Sequence, residues 1–265
     1  MTTTTQSIQA AARVVTCAVA FFLAPSLSAA PEDPLKSPSW SVMETRILEG
    51  RDYVFDDRVS VTVPAVAEDS TRVPVFASAQ GFEAIQRMVI FVDLNPITSA
   101  ADLTPATPMA EMSLGLEVKV QQATPVRAAV LDKDGVWHIG GGWVSAAGGG
   151  CTAPSIASAR PDWRERLGQA GGRVWAANEG QDRRLSFTVR HPMDAGFVAG
   201  LPELYLDETV IADAGGNPLF TLRTLASVSE DPNFTLRLPP GSGDILIRGR
   251  DNNANRFSLR VPSDV

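Results

Sequence analysis

Residues 126–139, VRAAVLDKDGVWHI, contain two apolar runs on either side of a polar turn, and this pattern indicates the fold class. Val126–Leu131 and Val136–Ile139 have the length and composition of strands. Asp132–Gly135 between them, with its Asp-Gly ending, is typical of a hairpin turn. The stretch therefore predicts a pair of antiparallel strands.

Similar short runs precede this hairpin. They cover Val59–Val63, Val73–Phe76, Met88–Val92 and Met112–Val120. Pro74 favours an edge position for the second run, because proline cannot donate a ladder hydrogen bond. A short helix is expected near Trp40–Leu48. Evenly spaced short strands with proline and glycine turns predict an antiparallel sandwich over residues 31–153.

The composition changes between residues 154 and 181, where we expect a short, partly helical linker. Gly168 is a plausible helix stop, and Trp163 and Trp175 are expected to pack the linker onto a domain. Strand-like runs then resume, at Leu185–Arg190, Leu204–Leu206, Leu219–Leu222, Phe234–Leu238, Asp244–Arg248 and Phe257–Val261. These runs predict a second, smaller sandwich over residues 182–265.

Residues 1–30 have the pattern of a secretory signal peptide. Arg13 precedes a short apolar run, Val14–Leu23, and small residues suited to cleavage follow at Leu27–Ala30. The apolar run is about half of the ~20 residues that a membrane-spanning helix needs. We therefore expect an exported, periplasmic protein with no membrane segment after signal cleavage.

Charge and motif content exclude several function classes. The chain has a formal net charge of −7 and no basic cluster, which argues against nucleic-acid binding. It contains no phosphate-binding loop, dinucleotide fingerprint or zinc-ligand spacing. No cofactor is therefore predicted.

Residues 148–154, GGGCTAP, hold the most informative side chain. Cys151 is one of two cysteines, and the other, Cys17, lies in the predicted signal peptide. A free thiol is a liability in an oxidising compartment unless it has a use. Gly148, Gly149 and Gly150 predict a flexible arm that presents an exposed, working thiol. The alternative is a passive cysteine that fills a gap in the core.

Other side-chain chemistry is less distinctive. His138 and His191 are the only histidines, and neither comes with a motif that would orient a Cys–His pair. His191 and Met193 with Cys151 offer soft ligands for copper, but their spacing is not diagnostic. We expect His191 to be a structural residue at a strand end and Met193 to pack in the core. No catalytic residue and no metal ligand are predicted.

The first half of the chain resembles SoxY and the second half resembles SoxZ, the two periplasmic carrier subunits of bacterial thiosulfate oxidation. The SoxY-like marks are Ile90–Pro96, Val126–Val130 with Asp134-Gly135, and the glycine-flanked Cys151. The SoxZ-like marks are Val189–Gly196, Ser227–Pro232 and Asp251-Asn252. They span nearly the whole chain after residue 30. The arrangement looks most like the fused carriers associated with quinoprotein dehydrogenases.

This resemblance implies two paired immunoglobulin-like sandwiches and a protein that is not an enzyme. It implies that Cys151 bears a sulfur-containing substrate through a disulfide-type bond. Partner enzymes of periplasmic sulfur oxidation, or a quinoprotein dehydrogenase, would load, oxidise and release the sulfur. The alternative is a non-catalytic accessory module that docks on a periplasmic quinoprotein dehydrogenase.

The sequence departs from the SoxY pattern after the cysteine. SoxY ends in a free glycine-rich tail, whereas here Thr152, Ala153 and Pro154 follow Cys151 and the chain continues. Pro154 stiffens this side of the loop. We therefore expect a thiol anchored at both ends, approached from the side by a partner with a shallow, open site.

Overall fold

The structure is a computed structural model, and it describes residues 1–2, 31–175 and 182–263. The apolar run and cleavage region of the predicted signal peptide lie outside the described residues. Within these ranges, no helix is long and apolar enough to cross a bilayer. The described residues from Pro31 onward belong to one compact unit.

Fifteen strands and two short helices make up the described part of the chain. In the first half these are α1 (Trp40–Arg46), β1 (Tyr53–Phe55), β2 (Val59–Thr62), β3 (Val73–Ala79), β4 (Ile85–Val92), β5 (Ser99–Pro105), β6 (Met112–Val118), β7 (Thr124–Asp132) and β8 (Trp137–Val144). In the second half they are α2 (Trp163–Arg166), β9 (Ala170–Trp175), β10 (Arg183–Val189), β11 (Leu206–Ala212), β12 (Pro218–Thr224), β13 (Asn233–Leu238), β14 (Ile245–Asp251) and β15 (Arg256–Val261).

The strands form two sheets, which confirms the predicted all-β class. One sheet has nine strands in the order β1-β8-β7-β4-β5-β12-β11-β14-β15, and the other has six in the order β2-β3-β6-β13-β10-β9. Neighbours pair antiparallel except β1 and β8, which pair parallel. The predicted hairpin is β7–β8, with Leu131 opposite Trp137.

Both sheets continue from the first half of the chain into the second. In the larger sheet β5 pairs with β12, with Leu103 opposite Leu222. In the smaller sheet β6 pairs with β13, with Leu114 opposite Leu236. The two predicted sandwiches are therefore joined edge to edge, and a single cluster of buried apolar residues extends through both.

Strand β7 is mostly apolar because both of its faces are buried. Every residue from Thr124 to Leu131 is buried. Val126, Ala128 and Val130 face the main core, whereas Ala129 and Leu131 pack in a second cluster that includes residues of α1. Since alternate residues point to opposite faces of a sheet, a strand covered on both faces has no polar side.

Three expectations about individual elements need correction. The predicted edge position of Val73–Phe76 is wrong, because β3 lies between β2 and β6. Pro74 is tolerated there because β2 pairs only with Phe76–Ala79 and ends before reaching it. The range expected as a linker contains α2 and also β9, which pairs with β10 along its whole length. The strand expected at Leu204–Leu206 shares only Leu206 with β11, and strands β1 and β5 were not predicted.

His138 lies between two carboxylates at the edge of the first half. Its Nδ1 is 2.7 Å from Asp56 Oδ2 and its Nε2 is 3.0 Å from Asp132 Oδ2. Hydrogen bonds from Arg58 hold the pKa of Asp56 well below its usual range. Burial raises the pKa of Asp132, but its hydrogen bonds, foremost that with His138, outweigh this and leave the pKa lowered.

This cluster predicts a loss of stability in acid. A carboxyl whose pKa is lowered by folding contributes its full stabilisation above its unfolded pKa, near ~3.9, and loses it progressively as the pH falls from there through the lowered pKa of the folded state. Asp56→Asn should therefore lower the urea midpoint most at pH 7 and less at pH 3, where part of this contribution is already lost. The neighbouring exposed Asp57→Asn is the control, and an equal deficit at both pH values would contradict the prediction.

Candidate functional site

The cysteine loop follows β8 and lies at the boundary between the two halves. Cys151 is 4 % exposed, and its Sγ lies 3.7 Å from the backbone oxygen of Lys119, to which it donates. The predicted solvent exposure of this thiol is therefore wrong for this conformation. The carbonyl that accepts the thiol hydrogen bond belongs to Lys119, 32 positions earlier in the chain.

The glycines before Cys151 are held by the first half of the chain. The amides of Gly148, Gly149 and Gly150 donate respectively to Ser70 Oγ at 3.3 Å, Gln121 O at 3.1 Å and Val120 O at 3.1 Å. Gly148 and Gly149 have positive φ values of 100° and 81°, which favour glycine. The three glycines thus fix one loop conformation here, and their role as a flexible arm stays a prediction.

Gly150 is the most tightly placed of the three. A Cβ atom added to it would lie 2.0 Å from the backbone oxygen of Ser70 and 2.7 Å from that of Val120. Glycine is therefore required at this position for the loop to close over Cys151.

Carboxylates of the second half hold the chain after Cys151. The Ser155 amide donates to Asp194 Oδ1 at 3.3 Å, and the Ser155 hydroxyl donates to Glu230 Oε2 at 2.7 Å. Glu230 Oε2 also accepts from the Ala157 amide at 3.0 Å. The loop is thus fixed by one half of the chain before the cysteine and by the other half after it.

The surroundings of the sulfur keep it protonated at neutral pH. Burial raises the pKa of Cys151 to about 11, against a smaller lowering by the charge of Lys119. The thiol hydrogen bond to a carbonyl also favours the neutral form. Because the thiolate is the nucleophile, the closed loop makes Cys151 unreactive.

Lys119 connects the cysteine to the second half. It lies just after β6 and is 5 % exposed. Its Nζ donates to the backbone oxygens of Met193 and Ala226, and its amide donates to Ser227 O at 2.7 Å. Lys119 therefore accepts the thiol hydrogen bond with its carbonyl and also places its buried ammonium against the second half of the chain.

The histidines and Met193 have structural partners away from Cys151. His191 Nδ1 accepts from the Met193 amide at 3.1 Å, and its Nε2 is 3.5 Å from Asp251 Oδ2. Met193 is fully buried, and its sulfur accepts from the Leu206 amide at 3.3 Å. In the described part of the chain, no group of three or more His, Cys, Asp or Glu side chains is arranged to hold a metal ion.

Comparisons with known families match both halves. "Sulfur oxidation protein SoxY" matches residues 44–151, and "Sulphur oxidation protein SoxZ" matches residues 173–262. The chain belongs to the SoxY and SoxZ families, as a fusion of the two. These are families of sulfur carrier proteins rather than enzymes. The SoxY match ends at Cys151, so the sequence-predicted carrier residue is the last residue of the SoxY domain.

Solved structures give more distant similarities. The sulfur carrier protein SoxY from Chlorobium limicola f thiosulfatophilum has 17% identity and a TM-score of 0.34, and the match covers 40% of this chain and 90% of that chain. A tetra-tandem repeat from the extending region of a large adhesion protein has 16% identity and a TM-score of 0.24, with 76% of this chain and 47% of that chain covered. None of the curated proteins matches significantly.

Several residues that hold the cysteine loop were not predicted from the sequence. They are Ser70, Lys119, Gln121, Asp194 and Glu230, and each comes from a segment distant from Cys151 in the chain. One sequence signal was present, since Lys119 is one of only three lysines. The other four are ordinary polar residues in turns and strand ends.

A groove of about 580 Å³ lies beside the cysteine loop. Thr152, which follows Cys151, is part of its wall, together with Gln121 and Gln122. Val42 of α1 and Phe197 from the SoxZ domain also line it, and both are exposed. The groove is therefore an open surface against one side of the loop.

Proposed function

We propose that the protein is a covalent carrier that holds a sulfur-containing substrate on Cys151 and presents it to partner enzymes. The observation that carries the proposal is the position of Cys151. It is the last residue of the SoxY match, and it lies in the loop that both domains contact. It is also the one cysteine outside the predicted signal peptide. SoxY and SoxZ domains are thus arranged around a single thiol.

The buried thiol implies that the carrier works through two loop conformations. In the closed one, Cys151 is protonated and covered. Loading requires a thiolate, because only the thiolate attacks a sulfur donor to form a new S–S bond. The loop must therefore leave its contacts with Ser70 and Glu230 before the cysteine reacts. Because the chain continues on both sides of Cys151, we expect the opened thiol to be approached from the side by a shallow partner site.

Location and partners belong to the same proposal. Residues 1–30 would direct export to the periplasm, where SoxY and SoxZ proteins typically act. The partners would be sulfur-oxidising enzymes of that compartment or a quinoprotein dehydrogenase. N-terminal sequencing of the protein from a periplasmic extract tests the export step, and an intact residue 1–30 segment there would contradict it.

Intact mass spectrometry of the protein from its native host tests the carrier function. We expect a mass increase of one or more sulfur atoms, or of a sulfur oxyanion, that a reductant removes. Cys151→Ser should abolish this increase completely, while Cys17→Ser should leave it unchanged. An unmodified mass during growth on reduced sulfur compounds would contradict the proposal.

A second candidate is a non-catalytic module that docks on a periplasmic dehydrogenase and does not use its thiol. The burial of Cys151 and the raised pKa of its thiol favour this reading. The two candidates differ in the effect of one change. Cys151→Ser should stop sulfur-dependent growth if the protein is a carrier, and it should have no effect if the protein only docks.

A further inference from the structure

The SoxZ domain carries a row of charged side chains on the outward face of the larger sheet. Arg223 of β12 lies opposite Glu208 of β11, and Glu208 lies opposite Arg250 of β14. Arg250 lies in turn opposite Arg256 of β15, and Arg248 precedes Arg250 by two residues. Directly opposite residues, and alternate residues of one strand, share a face of a sheet. The four arginines therefore form one surface, which we call the arginine face.

The carboxylates that reach the arginine face do not balance its charge. Glu208 pairs with Arg223 at 2.9 Å, and Asp207 pairs with Arg250 at 2.9 Å. Within the part of the chain that the structure describes, the other two arginines form no ion pair. All four arginine residues are exposed. Four positive charges thus face two negative ones, although the whole chain has a formal net charge of −7.

The opposition of Arg250 and Arg256 works against the fold. Like charges directly opposite each other in an antiparallel pair are destabilising. Neither side chain offsets this by filling the core, since both residues are exposed. Local rules that are broken in this way are expected at functional sites. The pair therefore indicates a surface that binds something of opposite charge.

We propose that the arginine face is a docking surface for a partner protein that presents a cluster of carboxylates. Guanidinium groups bind carboxylates through paired hydrogen bonds, and Arg248 and Arg256 are open to such a contact. An open groove of about 450 Å³ lies among the arginines of β14 and β15. Exposed charges spread over three strands match carboxylates spaced along another protein's surface better than they match one small anion.

An anionic membrane would meet the same arginines, but the surface does not suit one. Binding to a membrane surface combines basic residues with apolar side chains that enter the lipid. Among the described residues, none of the exposed large apolar side chains lies in β11, β14 or β15. The net charge of −7 also opposes the approach of the protein to an anionic bilayer. Charge and composition therefore favour an acidic protein.

A fluorescein-labelled polyglutamate peptide tests the arginine face by fluorescence anisotropy at low salt. The peptide should bind the native chain, and a chain with both Arg248→Gln and Arg256→Gln should show a Kd about tenfold higher. The matched control carries Arg51→Gln and Arg160→Gln, which remove the same charge from two exposed arginines outside this face. Equal losses in the two double variants, or no binding by the native chain, would overturn the proposal.

Vesicles of phosphatidylglycerol separate the two kinds of anionic surface. They should not bind the native chain under the conditions in which the peptide binds. Binding to the vesicles that needs Arg248 and Arg256, without binding to the peptide, would overturn the choice of a protein partner.

A measurement of stability needs no probe. Arg256→Glu places a carboxylate opposite Arg250, so the unfolding constant in a urea titration at low salt should fall about two- to fivefold. Arg160→Glu makes the same charge change away from the sheet and should not stabilise the chain. An unchanged or larger unfolding constant in Arg256→Glu would show that Arg256 serves the fold, which would overturn the proposal. The inference goes beyond the carrier function, and Cys151→Ser should bind the peptide as the native chain does.

Discussion

Replacing Arg127 with methionine is expected to lower the free energy of unfolding by about 3–5 kcal/mol, because it leaves two carboxylates without a buried partner. Arg127 is 1 % exposed. Its Nε is 3.0 Å from Asp93 Oδ2 and its Nη2 is 2.7 Å from Asp33 Oδ2. The guanidinium also lies over the Trp40 ring, 4.5 Å from its centroid.

The expected loss is large because the ion pairs connect separate elements. Arg127 is in β7, Asp93 follows β4, and Asp33 belongs to the segment before α1. Asp33 in turn accepts from the amides of Leu35 and Ser37. Without Arg127 the segment around Asp33 loses its ion pair with the larger sheet.

Urea titration measures the effect, with Arg87→Met as the matched control. Arg87 pairs with Asp102 at 2.7 Å, but its side chain is 31% exposed, and such pairs contribute about 1 kcal/mol or less. Comparable losses for the two variants would contradict the argument. A further check is pH. Burial already raises the pKa of Asp93, so acid should neutralise the orphaned carboxyl and make the Arg127→Met deficit smaller than at pH 7.

Strands with strong local patterns could be predicted from the sequence. Buried and more exposed residues alternate along β3 because only one face of that strand is buried. The apolar run of β4 is continuous because that part of the strand is buried on both faces. The Asp-Gly turn fixes the β7–β8 hairpin in the same way. Local composition was sufficient for these elements because turn chemistry and burial pattern agree within a few residues.

Strands with weak local patterns were missed for a physical reason. β5 reads SAADLTP and β9 reads AGGRVW, and Ala, Asp, Gly and Pro are depleted in strands. Their conformation is determined by neighbours: β5 pairs with β4 and β12, and β9 pairs with β10. β5 is also half of the junction between the domains, so the sequence alone did not predict a sheet that continues across both.

Cys151 stands out in the sequence, whereas its environment could not be predicted. A lone cysteine after three glycines is visible in the sequence, and the family match independently ends at the same residue. The loop around Cys151 is held by Lys119, Ser70 and Glu230, which lie up to 81 positions away along the chain. The three glycines before Cys151 predicted a flexible arm. Gly150 instead allows the backbone oxygen of Ser70 to pack closely against the loop.

Gly150→Ala is expected to raise the alkylation rate of native Cys151 by about 10- to 100-fold. The added Cβ would lie 2.0 Å from the backbone oxygen of Ser70, a distance that no rotamer change relieves. Overpacking of this kind costs about 1–3 kcal/mol. Here the loop avoids this cost by leaving the position that it occupies in the closed conformation. Each ~1.4 kcal/mol that disfavours the closed loop exposes the thiol about ten times more often.

Gly149→Ala is the matched control for this change, because the new Cβ meets no atom within 4 Å. Its positive φ of 81° adds backbone strain of about 1 kcal/mol, so a smaller rise is expected. The measurement is the rate of iodoacetamide labelling at pH 8 in Cys17→Ser chains, with the rate in urea as the fully exposed reference. A Gly150→Ala rate equal to the native rate would mean that the loop opens without breaking the contact with Ser70. If the labelling rate rises while the urea midpoint hardly changes, the loop opens locally without unfolding of the protein. A partner protein that occupies the position of Gly150 in the closed loop would then expose the thiol by the same displacement.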